Sequence, residues 1–328
     1  MHPENRNNNM AESGIDIHKA IGILQQDGLV AIPTETVYGL AGNAISEEAV
    51  VRIFEVKNRP VFDPLIVHVA SIEQVEEMVV NVPSQAKELA ARFWPGPLTL
   101  LLRKQAIIPD IVTSGLNTVA IRIPDHPITL ELLRNLGFPL AAPSANPFGY
   151  VSPTTVKHVN DQLGNKIPYI LDGGDCHVGI ESTIIGFHNE GAEIYRLGGI
   201  PVEDIESVVG KVNVRHHSSS RPAAPGLLES HYAPAKKVKL EEISDLDITK
   251  KPEKIGLIRF MNLHPGIPEK NQIILSGKGD LIEAAKNLFS ALRKMDEMDV
   301  QFVVAEPLPE IGLGRAINDR LRRAAAIS

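Results

Sequence analysis

Short apolar runs, several of them ending on a polar or cationic residue, limit most strongly what this chain can fold into. LVAIP (29–33), PLIVHVA (64–70), LTLLLRK (98–104), TVAIRIP (118–124), PLAAP (139–143), YILDG (169–173), STIIGF (182–187) and EIYRL (193–197) have the length and composition of buried strands. Helical periodicity interrupts them irregularly. Ile17, Ala20, Ile21 and Leu24 share a face that Gly28 would end, and Ser46 is placed to cap a helix through Ala49, Val50, Ile53 and Phe54. Ser71 with Gln74 reads as a capping box, and a helix at 84–93 stops at Trp94-Pro95-Gly96-Pro97. Further helices are predicted at 126–136, at 153–163 and after Pro201. Strands that follow one another directly, such as STIIGF and then EIYRL, exclude a strict βαβ alternation. The pattern predicts an α/β domain with a mixed sheet over residues 14–210.

Residues 1–13 are polar and Asn-rich and read as a mobile leader without the apolar core of a secretory signal. Residues 211–237 are rich in Ser, Pro and Ala, lack periodicity and read as a linker. Pattern returns over 238–328, where KIGLIRF and QFVVAEPL look like strands. There Leu281, Ile282, Ala285, Leu288, Phe289 and Leu292 mark a helical face, and RAINDRLRRAAA a terminal helix. This is a second, smaller α/β domain, in keeping with 328 residues at roughly 150 per domain.

The composition, 43% hydrophobic and 22% charged, is that of an ordinary globular protein. No run approaches the roughly 18 apolar residues needed to span a bilayer. The one cysteine, Cys176, excludes an internal disulfide and a Cys-rich zinc site and reads as a small buried residue. These features place the chain in the cytoplasm. A net charge of −7 favours a small-molecule site over a nucleic-acid platform. No Walker A, HExxH or GxSxG pattern is present. His216-His217 is either a metal pair or a solvated tract.

Four polar islands remain: PTETVYGL (33–40), Lys57-Asn58-Arg59-Pro60 with DPLIVHVA behind it, Thr118 to Arg122, and Pro143-Ser144-Ala145-Asn146. Lys57 and Arg59 fit an anion pair, a fork of donors beside a point charge; helix C-terminal capping fits them equally. Arg122 alternates with Ala120 and Pro124, which by itself points it to solvent. Ser144 and Asn146 are common turn residues, and His68 between two valines reads by itself as a structural histidine.

Together PTETVYGL, KNRP, PLIVH, WPGPLTL, APSAN and GIESTI, in this order, resemble the YrdC-like threonylcarbamoyl-adenylate synthase family. The resemblance continues through PGLLESHYAP to GLGRAINDRLRRAAA, as in the family's long, two-domain form. It implies a twisted α/β domain with a concave cationic cavity, a linker or lid across it, and a small Rossmann-like domain. The implied reaction joins L-threonine, bicarbonate and ATP into threonylcarbamoyl-AMP and pyrophosphate. A separate tRNA threonylcarbamoyl-transferase complex would consume the product, with no membrane and no stable nucleic-acid binding by this chain.

By resemblance, Lys57 and Arg59 serve catalysis and hold the ATP phosphates. Thr118, Ser144, Asn146, Ser152, Arg196 and Tyr232 also contact nucleotide. Thr34, His68, Arg122, Ala142 and Ser182 line the threonine pocket, with Thr36 in reserve for Thr34. Magnesium (Mg2+) accompanies ATP, with no protein ligand assigned. Gly226 is a candidate hinge, and Leu228-Glu229-Ser230 bring less positive charge before HYAP than the family's linkers often do. Gly312, Gly314 and Arg315 either serve structure or form a small anion or partner site. Two rival readings are a double-stranded RNA clasp without adenylation, and a hydrogenase-maturation carbamoyl transferase, which one cysteine disfavours.

Overall fold

The structure, a computed structural model, describes residues 10–188, 191–215, 224–225, 231–242 and 251–326. The expectations for residues 1–9, for His216-His217, and for Gly226 with residues 228–230 lie outside the described residues.

In chain order the first strands are β1 (Glu12–Gly14), β2 (Val30–Ile32), β3 (Gly39–Asn43), β4 (Ile66–His68), β5 (Leu98–Arg103) and β6 (Thr118–Arg122). They continue as β7 (Leu140–Ala141), β8 (Tyr169–Leu171), β9 (Thr183–His188), β10 (Gly191–Arg196) and β11 (Asn213–Val214). All join one sheet in the order β1-β8-β2-β3-β7-β4-β6-β5-β9-β10-β11. The sheet is mixed: β4 lies parallel to β6 while β5 lies antiparallel to it, and β9 and β10 form an antiparallel pair. β1 corrects the expected leader, because Glu12–Gly14 pair with β8 and Ala11 is buried.

The predicted caps form. Ser46 accepts from Ala49 N at the start of α2 (Glu47–Lys57), and Ser71 accepts from Gln74 N at 3.5 Å while Gln74 Oε1 accepts from Ala70 N at 2.7 Å. The helix expected from 153 begins later, as Val156–Leu163, because Thr155 is its N-cap. One apolar cluster on the first face of the sheet contains Leu40, Val67, Leu100, Ile121 and Ile185. On the other face Ile66, Leu101, Ala120, Ile184 and Tyr195 pack with Ala224, which comes from the segment expected to link the domains. Neither face of the central strands is bare.

A second sheet is wholly parallel. Its strands β12 (Val238–Leu240), β13 (Ile255–Arg259), β14 (Gln272–Ile274) and β15 (Phe302–Ala305) run in the order β12-β15-β13-β14. Two helices accompany it, α9 (Leu281–Glu297) and α10 (Gly314–Ala325); besides α2, the first part holds α1 (Ile17–Leu24), α3 (Ile72–Met78), α4 (Ser84–Phe93), α5 (Asp110–Thr113), α6 (Pro127–Asn135), α7 (Val156–Leu163) and α8 (Val202–Val209). Ile282 corrects the predicted helical face: it is exposed, while Leu288, Phe289 and Leu292 are fully buried. Their cluster continues into Val37, Val151 and Ile180 of the first part, so one core crosses between the two sheets. Arg293 extends the same junction, donating to the carbonyl oxygens of Val151 and Ser152. Among the described residues no helix is long and apolar enough to cross a membrane.

Candidate active site

Strand register assembles the site. β4 and β6 are parallel with His68 opposite Arg122, which puts both side chains at the same strand ends. β7 pairs antiparallel with β4, Leu140 opposite His68 and Ala141 opposite Val67, so the chain from Ala142 to Asn146 leaves past Ile66, at the other end of β4. Thr34 follows β2 by two residues, Arg196 ends β10, and Ser182 immediately precedes β9. A register shift between Ile194 and Arg196 marks a bulge in β10, a device that re-aims a side chain at a strand end. The result is a cavity of about 50 Å³ lined in part by Thr34, Thr36, Arg59, His68, Arg122, Ala142, Ser144, Ser182 and Arg196. Pro225, His231 and Tyr232 complete its wall.

Arg122 is 3% exposed, which corrects the solvent-facing reading. The face it shares with Ala120 is covered by other parts of the chain rather than by water. Its NH2 bonds to Glu35 and its NH1 donates to Thr36 Oγ1 at 3.1 Å. Its Nε is buried with no hydrogen-bond partner among the described residues. Thr34 closes a local turn, donating to Val37 O at 2.7 Å and accepting from the Val37 amide at 3.2 Å. His68 is buried beside Ile66 O, and burial, reinforced by Arg122, lowers its pKa to about 3, so the ring is neutral.

Arg59 donates Nε to Asp63 O at 3.0 Å and NH2 to Pro64 O at 2.8 Å, and pairs with the Asp63 carboxylate at 2.9 Å. Lys57 does not stand on the cavity wall. It is 1% exposed, and its Nζ donates to the carbonyl oxygens of Ser144 and Asn146. Burial holds its pKa well below the ordinary lysine value, with Arg59 adding to the effect. The capping reading gives way to a tether between α2 and the 143–147 turn. Asn146 donates to Pro147 O and Tyr150 O, both at 2.8 Å, and leaves a buried Oδ1 without a partner among the described residues.

Arg196 donates to Ser182 O and Ser182 Oγ at 2.9 and 3.0 Å, and burial lowers its pKa to about 10. Ser182 Oγ also lies 2.7 Å from Thr99 Oγ1. Ser152 sits behind the wall, donating to Glu181 Oε1 at 2.6 Å. The Ala142 amide donates to Ile66 O at 3.0 Å within the sheet. Thr118 opens β6, pairs with Arg103 and is not among the residues lining the cavity. Tyr232 is fully covered: its ring stacks on Phe289 at 5.5 Å between centroids, and Arg320 and Arg323 lie 5.3 and 4.7 Å from it.

Known proteins match the chain over nearly its whole length. Residues 22–198 match the family described as Telomere recombination, and residues 200–326 match the threonylcarbamoyl-AMP synthase C-terminal domain. Threonylcarbamoyl-AMP synthase of Pyrococcus abyssi is 42% identical, covering 94% of each chain. The chain belongs to the threonylcarbamoyl-AMP synthase family. The Bacillus subtilis member is 41% identical over 94% of this chain and 92% of its own. The crystal structure of P. abyssi Sua5 complexed with L-threonine superposes with a TM-score of 0.87 at 41% identity, covering 94% of each chain. As in its family, this chain is an adenylyl-transferring enzyme that makes threonylcarbamoyl-AMP.

Several site residues escaped the sequence reading. Glu35 and Glu181 stand inside PTETVYGL and GIESTI, and a lone carboxylate amid strand-end apolar residues was the available signal. Asp63, fully buried against Arg59, and His231, beside Tyr232, carried no comparable pattern. Gly312 and Arg315 do make an anion cradle, but its occupant is the chain's own Glu203, bonded at 3.4 Å by the Gly312 amide and at 2.7 Å by Arg315. Cys176 is buried as expected, and burial pushes its thiol pKa up.

Proposed function

We propose that L-threonine binds with its carboxylate on Arg122 and that ATP lies along Arg59 and Arg196. The buried, unpartnered Arg122 Nε is the observation that carries this reading. A desolvated donor without an acceptor is costly, and a carboxylate would satisfy it while the guanidinium keeps its bonds to Glu35 and Thr36. The wall then reads as cationic, with Arg59, Arg122 and Arg196 around one small space. Thr34, Thr36, His68, Ser182 and the backbone at Ala142 shape the threonine pocket. The neutral His68 ring adds no charge beside the amine. Ser144, Asn146, Ser152 and Tyr232 complete the nucleotide surface, and Thr118 would join it from the start of β6. Lys57 acts by holding the Ser144–Asn146 turn in place.

Threonine amine and bicarbonate give a carbamate and water. A carbamate oxygen then attacks the ATP α-phosphorus, and the bond to the β-phosphate breaks to release pyrophosphate. The protein supplies positions and fixed positive charge rather than a covalent partner. Among the described residues no three His, Cys, Asp or Glu side chains gather as a metal site. The cavity carboxylate of Glu181 is already engaged by Arg320 and Ser152. Magnesium therefore enters on the phosphates of ATP, as this cation commonly does.

About 50 Å³ holds water but no nucleotide, so the cover made by Pro225, His231 and Tyr232 must open for ATP and shut over the labile carbamate. We divide the chain accordingly into a catalytic domain at 14–210, a lid at 211–237, and a domain at 238–328 that is Rossmann-like in its all-parallel sheet. The product passes to a tRNA threonylcarbamoyl-transferase complex in the cytoplasm. The reading is tested by pyrophosphate release from ATP with threonine and bicarbonate omitted in turn. Dependence on both is expected. Release without threonine would reject the assigned acceptor, and salt-sensitive RNA binding without release would favour the RNA clasp.

A further inference from the structure

Arg320 of α10 has no solvent exposure and is the largest fully buried side chain among the described residues. Its main partner lies in the first part of the chain, just before β9. Nε and NH2 each lie 3.1 Å from Glu181 Oε2, and NH1 donates to Leu197 O at 2.6 Å and to Asp319 Oδ2 at 2.9 Å. Glu181 lines the cavity immediately before Ser182, and its other oxygen accepts from Ser152. Burial alone would raise the Glu181 pKa, but Arg320, then Arg196 and the Ser152 hydrogen bond hold it below the usual carboxylate range. A carboxylate thus stands charged in a wall that must receive a polyphosphate. Arg196 is bonded to Ser182 and Pro225, so the direct counter-charge comes from α10.

We propose that Arg320 is a positioning residue for adenylation: it cancels the charge of Glu181 from the far side, so that the ATP phosphates meet a net positive wall. The inference rests on the proposed placement of ATP beside Arg196. It gives the C-terminal part of the chain a role in nucleotide affinity that anchoring a lid does not. Removing Arg320 leaves a buried, unbalanced carboxylate facing the phosphates, and like charges in a poorly hydrated site repel strongly. Threonine, on the Arg122 side, is expected to sense the change less.

The experiment compares the full-length wild type with Arg320→Met, Arg320→Lys and the Arg320→Met/Glu181→Gln double variant. Pyrophosphate release is followed while ATP and threonine are varied separately. ATP affinity is measured in parallel by equilibrium dialysis, and melting is recorded. Arg320→Met is expected to raise the KM for ATP at least tenfold and that for threonine less than threefold. The double variant restores the KM for ATP to within threefold of wild type even where its Tm stays low, and Arg320→Lys retains most of the affinity. A parallel rise of both KM values, a deficit that only tracks the folded fraction, or no rescue in the double variant overturns the proposal. If Arg320→Met does not fold, Arg320→Gln with and without Glu181→Gln is judged by the same criteria. Wild type that binds ATP without releasing pyrophosphate would overturn the reaction, while the dialysis ratios would still decide the role of Arg320. Wild type that binds no ATP would overturn both.

Discussion

At Arg122 three donors have three fates: one on Glu35, one on Thr36, and one buried without a partner among the described residues. A hydrogen bond to a charged group contributes about 1.5–3 kcal/mol. Arg122→Lys loses the fork, so the KM for threonine is expected to rise by roughly ten- to a hundredfold with the KM for ATP unchanged. A rise for ATP instead would move the carboxylate to another arginine. At His68 the same burial has a pH consequence. The unfolded ring titrates near 6.5 and the folded one at about 3. Between those values the unfolded state binds more protons, so stability falls as pH drops through that window. Melting curves from pH 7 to pH 4 should show the loss, and His68→Asn should reduce its slope. Arg122 also marks a limit of sequence reading. Alternation correctly placed it opposite Val119 and Ile121, but whether that face meets water or a cavity depends on Ala224 and its neighbours, far along the chain.

At the scale of elements, the longest periodic patterns and their caps were legible because the determinants are local. Ser46 and the Ser71–Gln74 pair lie within a turn of what they cap. β1, β3, β11, β12 and β14 were not predicted. β3 contains two glycines in GLAGN, and Gly39 is there because a Cβ would lie 3.1 Å from Ala142 Cβ across the site. Their pairing, rather than their composition, makes such segments strands. The end of α2 illustrates an element that serves the site. Asn58 closes it in the left-handed region at φ 50°, sending its N–H back to Glu55 and Phe54 and handing the chain on to Arg59. Asn58→Val places a β-branched residue there at about 1–2 kcal/mol. The expected result is a Tm lower by a few degrees together with weaker ATP binding, while Asn58→Gly keeps both. Unchanged ATP affinity in Asn58→Val would separate Arg59 from the helix end.

Over the whole molecule, one apolar core joins the two sheets, and the cavity cover rests on it. Phe289 is fully buried in α9 and stacks on Tyr232. Phe289→Ala is expected to cost about 3–5 kcal/mol and to weaken ATP retention, because the support of Tyr232 goes with it. Calorimetric melting together with nucleotide dissociation would check this; a stability loss with unaltered dissociation would free the cover from that support. Most strands and helices of both parts, and the ordered polar islands that mark the family, were legible in the sequence alone. These are matters of local periodicity, turn chemistry and residue order. The sequence also placed Lys57, Arg59, Arg122 and Arg196 at element ends. Only the tertiary structure decided that Lys57 tethers a turn, that Arg122 faces a cavity, and that Glu35, Glu181 and Arg320 supply the counter-charges. The reason is that burial and charge pairing arise from segments as far apart as Glu181 and Arg320, which are 139 residues distant in the chain and 3.1 Å apart in space. No local pattern encodes such a meeting; the packing of one sheet against the other does.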